Sequence, residues 1–207
     1  MSFFKNTRNL VAVGILGAIG AVLMIININI PTIMPSFIKL DFSELPAIIA
    51  AFAFGPTGGI MVCLVKNLLN LILASNTGGV GELSNFILGC AYVIPAGLIY
   101  KKNKNFKGAI VSALVGSCSS AFVGFFSNYF IVYPLYTLIG WPMETIIGMY
   151  TIIFPNVKTL WQALLYFNVP FTFIKCLLTS IITFLVYKRI SPLLKGKNKK
   201  LCESKQG

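Results

Sequence analysis

The chain has 207 residues, of which 57% are hydrophobic and 11% charged, with a formal net charge of +12. Soluble domains carry about 25% charged residues, so this composition excludes a soluble globular class and fits a membrane as solvent. There is no histidine, and only Asp41, Glu44, Glu82, Glu144 and Glu203 are acidic, which removes histidine-based catalysis and most metal chemistry.

Uncharged runs cover residues 10–38, 45–65, 83–100 and 108–143, each near or beyond the roughly 20 residues that cross a bilayer. They predict an all-α integral membrane protein with six transmembrane helices at about residues 9–30, 43–54, 58–75, 82–100, 108–136 and 168–189. These form a single membrane domain over residues 1–190, followed by a basic cytoplasmic tail at 191–207. The first helix follows Lys5 and Arg8 with no small-residue cleavage site before Pro31, so it reads as a span and not a signal peptide. Its Gly14–Ala18 and Gly17–Ala21 pairs are small-x-x-x-small, the spacing that lets another helix approach, and a partner membrane protein is a candidate occupant.

The second helix is short, rising only about 18 Å where the hydrocarbon core is about 30 Å. Either the preceding loop fills the remaining depth and leaves a cavity open to the outside, or the helix is longer and begins near Ile38. In the third, "LVKNLLNL" places Lys66 at mid-helix, where an ionisable group costs about 2.5–3.5 kcal/mol on insertion scales. Lys66, Asn67 and Asn70 are either a polar network at a site or an interhelical packing network.

The stretch "SNTGGVGELSNF" enters the fourth helix. It is not a phosphate loop, because Glu82 stands after the last glycine where a lysine is needed and no βαβ unit precedes it. It reads as a turn in which Gly78, Gly79 and Gly81 permit close backbone approach, with Glu82 and Asn85 one helical turn apart. The fifth run is too long for one untilted span, so part of it is expected in an outer loop, and Pro134 marks a break. It carries Asn128 among Phe125, Phe126, Tyr129, Phe130 and Tyr133, an aromatic wall with one amide, as a flat heteroaromatic ligand requires. In the sixth, Pro170 falls in the first turn, and Thr172 and Lys175 share a face. Four of the five cysteines, Cys63, Cys90, Cys118 and Cys176, lie in apolar segments as small hydrophobes, and no metal site is expected.

With the N-terminus inside, thirteen of the 17 basic residues fall on cytoplasmic segments, so the positive-inside rule places both termini in the cytoplasm. The basic balance is topological and calls for no nucleic acid. Asp41, Glu44, Glu82 and Glu144 fall on the outer side, which gathers polar chemistry there.

Together, "FIKLDFSELPAIIAAFAFGPTGG", "LVKNLL", "NTGGVGELSNFILG" and "VPFTFIK" resemble the riboflavin-specific substrate-binding (S) subunits of energy-coupling factor (ECF) vitamin transporters. The resemblance runs from the first helix to Arg189. It implies a plasma-membrane, multi-pass protein, not an enzyme, that captures riboflavin at its outer face. It also implies association with a transmembrane coupling subunit and two cytoplasmic ATPase subunits, which hydrolyse the ATP, and surrounding membrane lipid. Riboflavin is the transported ligand and no cofactor is implied.

Carried across, Lys39, Leu40, Asp41 and Phe42 match the segment over the ligand, and Gly81, Glu82 and Asn85 match its wall. Asn128 matches an asparagine on the isoalloxazine edge, and Lys175 the lysine of the sixth helix. Thr172 stands where the family often has asparagine, offering one hydroxyl in place of an amide's donor and acceptor. Gly14, Gly17, Ala18 and Ala21 match the docking face, although the family more often has alanine there. Asp41 and Glu82 are expected to repel the phosphate of flavin mononucleotide. Competing readings are an S subunit for thiamine, pantothenate or pyridoxine, a small intramembrane enzyme, and a purely structural subunit.

Overall fold

The computed structural model describes the backbone of residues 7–195 and side chains through residue 186; residues 196–207 of the expected basic tail lie outside the described residues. The described chain is helical, with one isolated antiparallel bridge between Ile28 and Leu40. Five helices are long and apolar enough to cross a membrane, and Glu44–Phe54 and Met143–Ile153 are shorter apolar helices.

Helix α1 (Thr7–Ile25) stops five residues before the predicted end. The Asn27 amide explains this: its Nδ2 donates to the carbonyls of Met24 at 3.1 Å and Ile25 at 3.0 Å, satisfying acceptors that a further turn would have used. The chain then makes a loop whose ends are pinned by Ile28 N to Leu40 O at 2.8 Å and Leu40 N to Ile28 O at 2.9 Å. Helix α2 (Glu44–Phe54) begins after this loop and not near Ile38, so the loop does occupy the depth that the short helix leaves. Every residue from Pro46 to Phe52 is buried, and a helix apolar all round belongs in the interior. Accordingly α2 lies at the centre, against α1, α3 (Pro56–Ala74), α4 (Val80–Lys102) and α9 (Val169–Lys195).

Gly55 at φ 88° turns α2 into α3, with Pro56 at the first helical position, where its missing N–H costs nothing. The α2–α3–α4 seam depends on Gly59: a Cβ there would stand 2.9 Å from both the Ala51 and Val93 Cβ atoms. Helix α5 (Phe106–Ser127) is capped by Asn105, whose side chain accepts from Gly108 N at 2.6 Å. It presents Ser112, Gly116, Ser120 and Gly124 along buried positions and packs on α4 and α9.

The two prolines expected to break or start helices do neither. A π-helical turn (Asn128–Val132) carries α5 into α6 (Tyr133–Leu138), just ahead of Pro134. A second (Leu164–Asn168) carries the short α8 (Leu160–Ala163) into α9, just ahead of Pro170. In an α-helix proline removes one hydrogen bond and its ring collides with the carbonyl four residues back; a wider turn relieves both. The helical path therefore continues over 33 residues at Phe106–Leu138 and 27 at Leu160–Val186, instead of leaving for an outer loop near Pro134 or starting at residue 168. Helix α7 (Met143–Ile153) was not predicted: at 11 residues between prolines it gives no spanning signal, yet Ile146 and Tyr150 on one face are buried.

Candidate functional site

The C-terminal ends of α1 and α3, the N-terminal ends of α4 and α9, the loop before α2 and the first π-turn enclose a cavity of about 670 Å³. That size suits a small organic ligand. It lies at the end of the bundle opposite Lys101 and Lys102, which close α4. Of the residues singled out from the sequence, Lys39, Asp41, Asn70, Gly81, Glu82, Asn85, Asn128, Thr172 and Lys175 line it. Leu40 instead pairs with Ile28, and Phe42 is half-buried beside the cavity without lining it.

Two buried ion pairs organise the floor. Lys175 Nζ donates to Asp41 Oδ2 at 2.9 Å, and Lys66 Nζ to Glu44 Oε1 at 2.5 Å. They are linked through Ser43, whose backbone N–H donates to Asp41 Oδ1 at 2.9 Å and whose hydroxyl accepts from Lys66 at 2.8 Å. Burial alone would raise the Asp41 pKa, but the ammonium groups of Lys175 and Lys66 and the Ser43 hydrogen bond outweigh it and hold the carboxyl below its ordinary 3.8. Lys66 itself is fully buried and does not line the cavity. Asn67 is also away from it, donating to Cys63 O at 2.8 Å. The expected Lys66–Asn67–Asn70 set is thus divided, and only Asn70 reaches the cavity.

The glycine-rich turn is an acid holder. Gly78 and Gly79 take φ of 60° and 89°, values that glycine adopts without strain. Glu82 in the first turn of α4 accepts from Asn70 Nδ2 at 2.8 Å and from Thr77 Oγ1 at 3.1 Å, while Thr77 Oγ1 accepts from Gly81 N at 3.0 Å. Gly81 is required by Thr77, since a Cβ there would lie 2.6 Å from Thr77 Oγ1. Asn128 Oδ1 accepts from Ser84 Oγ at 3.1 Å, which leaves its two N–H groups for the cavity.

Among described residues, Asp41 and Glu44 have counter-ions, whereas Glu82 and Lys39 line the cavity without an ion pair. The phosphate repulsion expected of Asp41 and Glu82 therefore comes down to Glu82, opposed by Lys39. What remains is mostly neutral: six asparagines (27, 70, 76, 85, 128 and 168) line the space. The aromatic wall differs from the expected one. Tyr133 lines the cavity, but Phe126, Tyr129 and Phe130 are exposed; Phe37, Tyr136 and Trp141 take their place, with ring centroids 6.0 and 6.1 Å from Phe37 to the latter two. Glu44, Phe37, Trp141 and Asn168 were missed by sequence reasoning; proximity to a proline is the one signal that could have marked Asn168.

The small residues of α1 fall on two faces. Gly17 and Ala21 are buried and not free to dock a partner, and a Cβ on Gly17 would land on the Val65 side chain, so Gly17 serves the α1–α3 seam. Gly14 and Ala18 are exposed, and a Cβ on Gly14 meets nothing within 4 Å.

Residues 8–187 match the family described as the substrate-specific component of ECF transporters. The riboflavin transporter RibU of Staphylococcus aureus (strain TCH60) is 32% identical over 191 residues, 92% of this chain and 94% of RibU. The riboflavin transporter FmnP of Bacillus subtilis (strain 168) is 39% identical over 116 residues, 55% of this chain but only 60% of FmnP. A solved S component of a bacterial ECF transporter is 33% identical with a TM-score of 0.71, covering 92% of this chain and 99% of that one. The chain belongs to the substrate-specific components of the ECF transporters, multi-pass proteins of the plasma membrane that are transport subunits and not enzymes.

Proposed function

We propose that this chain binds riboflavin in the cavity at its outer face and delivers it inward with an ECF module. The observation that carries the reading is a cavity with an aromatic side at Phe37, Tyr133, Tyr136 and Trp141 and a side of neutral amides and hydroxyls, with two of its three lining acids, Asp41 and Glu44, compensated by lysines and the third, Glu82, held by Asn70 and Thr77. Riboflavin has the matching halves: a planar ring system, and a polyhydroxyl tail that calls for amides, hydroxyls and carboxylates. The names of RibU and FmnP support the same vitamin. Thiamine is less well matched, because a cationic ring calls for uncompensated acids, whereas Asp41 and Glu44 are paired and Glu82, the one lining acid without an ion pair, shares the cavity with Lys39.

Leu40 and Phe42 act through the backbone of the segment over the ligand, while Asp41, Gly81, Glu82, Asn85, Asn128, Thr172 and Lys175 bound the ligand itself. Lys39, Lys66, Asn67 and Asn70 support them. Six spans, with Glu44–Phe54 as the short one, put both termini in the cytoplasm, consistent with the basic residues at 101–107 opposite the cavity. The ECF module consists of a transmembrane coupling subunit and two cytoplasmic ATPases, and the exposed Gly14–Ala18 face of α1 receives the coupling subunit.

The test is direct. Purified protein should show visible flavin absorption, or should quench added riboflavin fluorescence with saturation at one equivalent. A vitamin-free preparation that fails to bind riboflavin but binds thiamine, pantothenate or pyridoxine overturns the vitamin assignment.

A further inference from the structure

Three buried polar groups beside the cavity form a closed ring. The Tyr133 and Tyr150 hydroxyls are 2.5 Å apart, Tyr150 donates to Asn168 Oδ1 at 2.8 Å, and Asn168 Nδ2 donates to the Tyr133 hydroxyl at 3.1 Å. A phenol has one proton, and that of Tyr150 goes to Asn168, so Tyr133 must donate to Tyr150. The ring then has a single sense: Tyr133 to Tyr150 to Asn168 and back to Tyr133. All three residues are at most 6% exposed, so water does not replace a lost partner.

Each member comes from a different element: Tyr133 from the start of α6, Tyr150 from α7, and Asn168 from the end of the second π-turn. Tyr133 and Asn168 line the cavity and Tyr150 does not. The ring fixes the Asn168 carboxamide, using one of its two N–H groups and one of its two carbonyl lone pairs. One N–H and one lone pair remain.

We propose that Asn168 is a specificity-determining contact for the imide edge of the flavin ring, and that Tyr150 is a positioning residue that orients it. This rests on the riboflavin reading above. The imide edge alternates C=O and N–H, which the residual donor and acceptor of Asn168 complement. The neighbourhood favours the ring system over the polyol tail: Phe37 lies with its centroid 6.2 Å from Tyr133 and 6.3 Å from Tyr150, and Trp141 is 6.1 Å from Phe37, so a planar group stacks at this end. Helix α7, which carries no cavity-lining residue, thereby acts on ligand choice through one hydroxyl.

The experiment compares riboflavin with riboflavin methylated at the imide nitrogen, in wild type, Tyr150→Phe and Asn168→Ser, by quenching of flavin fluorescence. Methylation should weaken wild-type binding about three- to tenfold, the range of one neutral hydrogen bond. In both variants riboflavin should bind three- to tenfold less tightly, and the ratio between the two ligands should collapse toward one. A purely structural role weakens both ligands equally and preserves the ratio, which overturns the proposal. If Tyr150→Phe does not fold, Asn168→Ser alone decides by the same ratio. Wild type that quenches riboflavin with the ratio unchanged in the variants overturns this assignment alone; wild type that binds no flavin overturns the riboflavin reading and this one with it.

Discussion

Replacing Lys66 with methionine removes the cation that meets Glu44 at 2.5 Å in a site where Lys66 has no exposure and Glu44 is 5% exposed. Methionine fills most of the lysine stem, so the loss is one of charge and not of volume. Breaking a buried pair by removing one partner costs about 3–5 kcal/mol, because the other charge is left uncompensated. For a chain of this size each kcal/mol is worth about 2–4 °C, so the melting midpoint should fall by about 6–20 °C. The Ser43 hydroxyl also loses its donor, at about 1 kcal/mol.

Adding Glu44→Gln to that variant removes the stranded charge. The double variant should recover more than half of the lost midpoint, since replacing both members of a buried pair is often close to neutral. The assay is intrinsic tryptophan fluorescence against temperature in detergent, on the vitamin-free protein. A double variant no more stable than Lys66→Met alone would refute the reasoning, because it would show that the Lys66 stem and not its pairing with Glu44 is what the fold requires.

Other outcomes follow from the cavity. Lys175→Met strands Asp41, which is 4% exposed; adding Asp41→Asn should restore most of the midpoint in the same melting assay but not riboflavin affinity, since Lys175 lines the cavity. Gly81→Val should push Thr77 from Glu82 and weaken riboflavin binding about tenfold or more, while membrane insertion, read from the yield of the membrane fraction, stays unchanged. Thr172→Asn, which adds a donor and an acceptor to the wall, should tighten riboflavin binding about three- to tenfold in a quenching titration. Glu82→Gln should raise the affinity for flavin mononucleotide relative to riboflavin, because it leaves Lys39 as the cavity-lining charge without an ion pair.

The helices were legible from uncharged runs because length and apolarity are what a bilayer selects. The outward polar set was legible because ionisable residues in such runs are costly and few, so Asp41, Glu82 and Lys175 stood out. Which side of a helix faces the cavity was less so. Gly17 and Gly14 look alike in sequence, but only the first lies against Val65. Phe126 and Phe130 surrounded Asn128 in the chain yet point outward, because residues two apart on a helix lie about 200° around its axis and so on opposite faces. Asn168 was hidden because it stood at the first position of the predicted sixth helix, where no earlier turn assigns it a face, whereas it is the last residue of a π-turn in a helical path that starts at Leu160. Glu44 read as an outer-side acid because its partner is 22 residues further along, on the next helix.

The short helix, the acids and the two deep lysines are a single feature. Because α2 has only 11 residues, its N-terminus opens within the protein interior, where four backbone N–H groups and the positive end of the helix dipole need negative partners. Glu44 in the first turn and Asp41 three residues earlier supply that charge at a depth where a carboxylate cannot stay unpaired. Each then requires a cation that reaches the same depth, which only a residue on a neighbouring helix can provide, and Lys66 from α3 and Lys175 from α9 do so. The space that a full-length second helix would have filled is left to the loop and the cavity. Lengthening α2 toward Ile38 would therefore take the room left for a ligand, while Asp41 and Glu44 would still require both lysines.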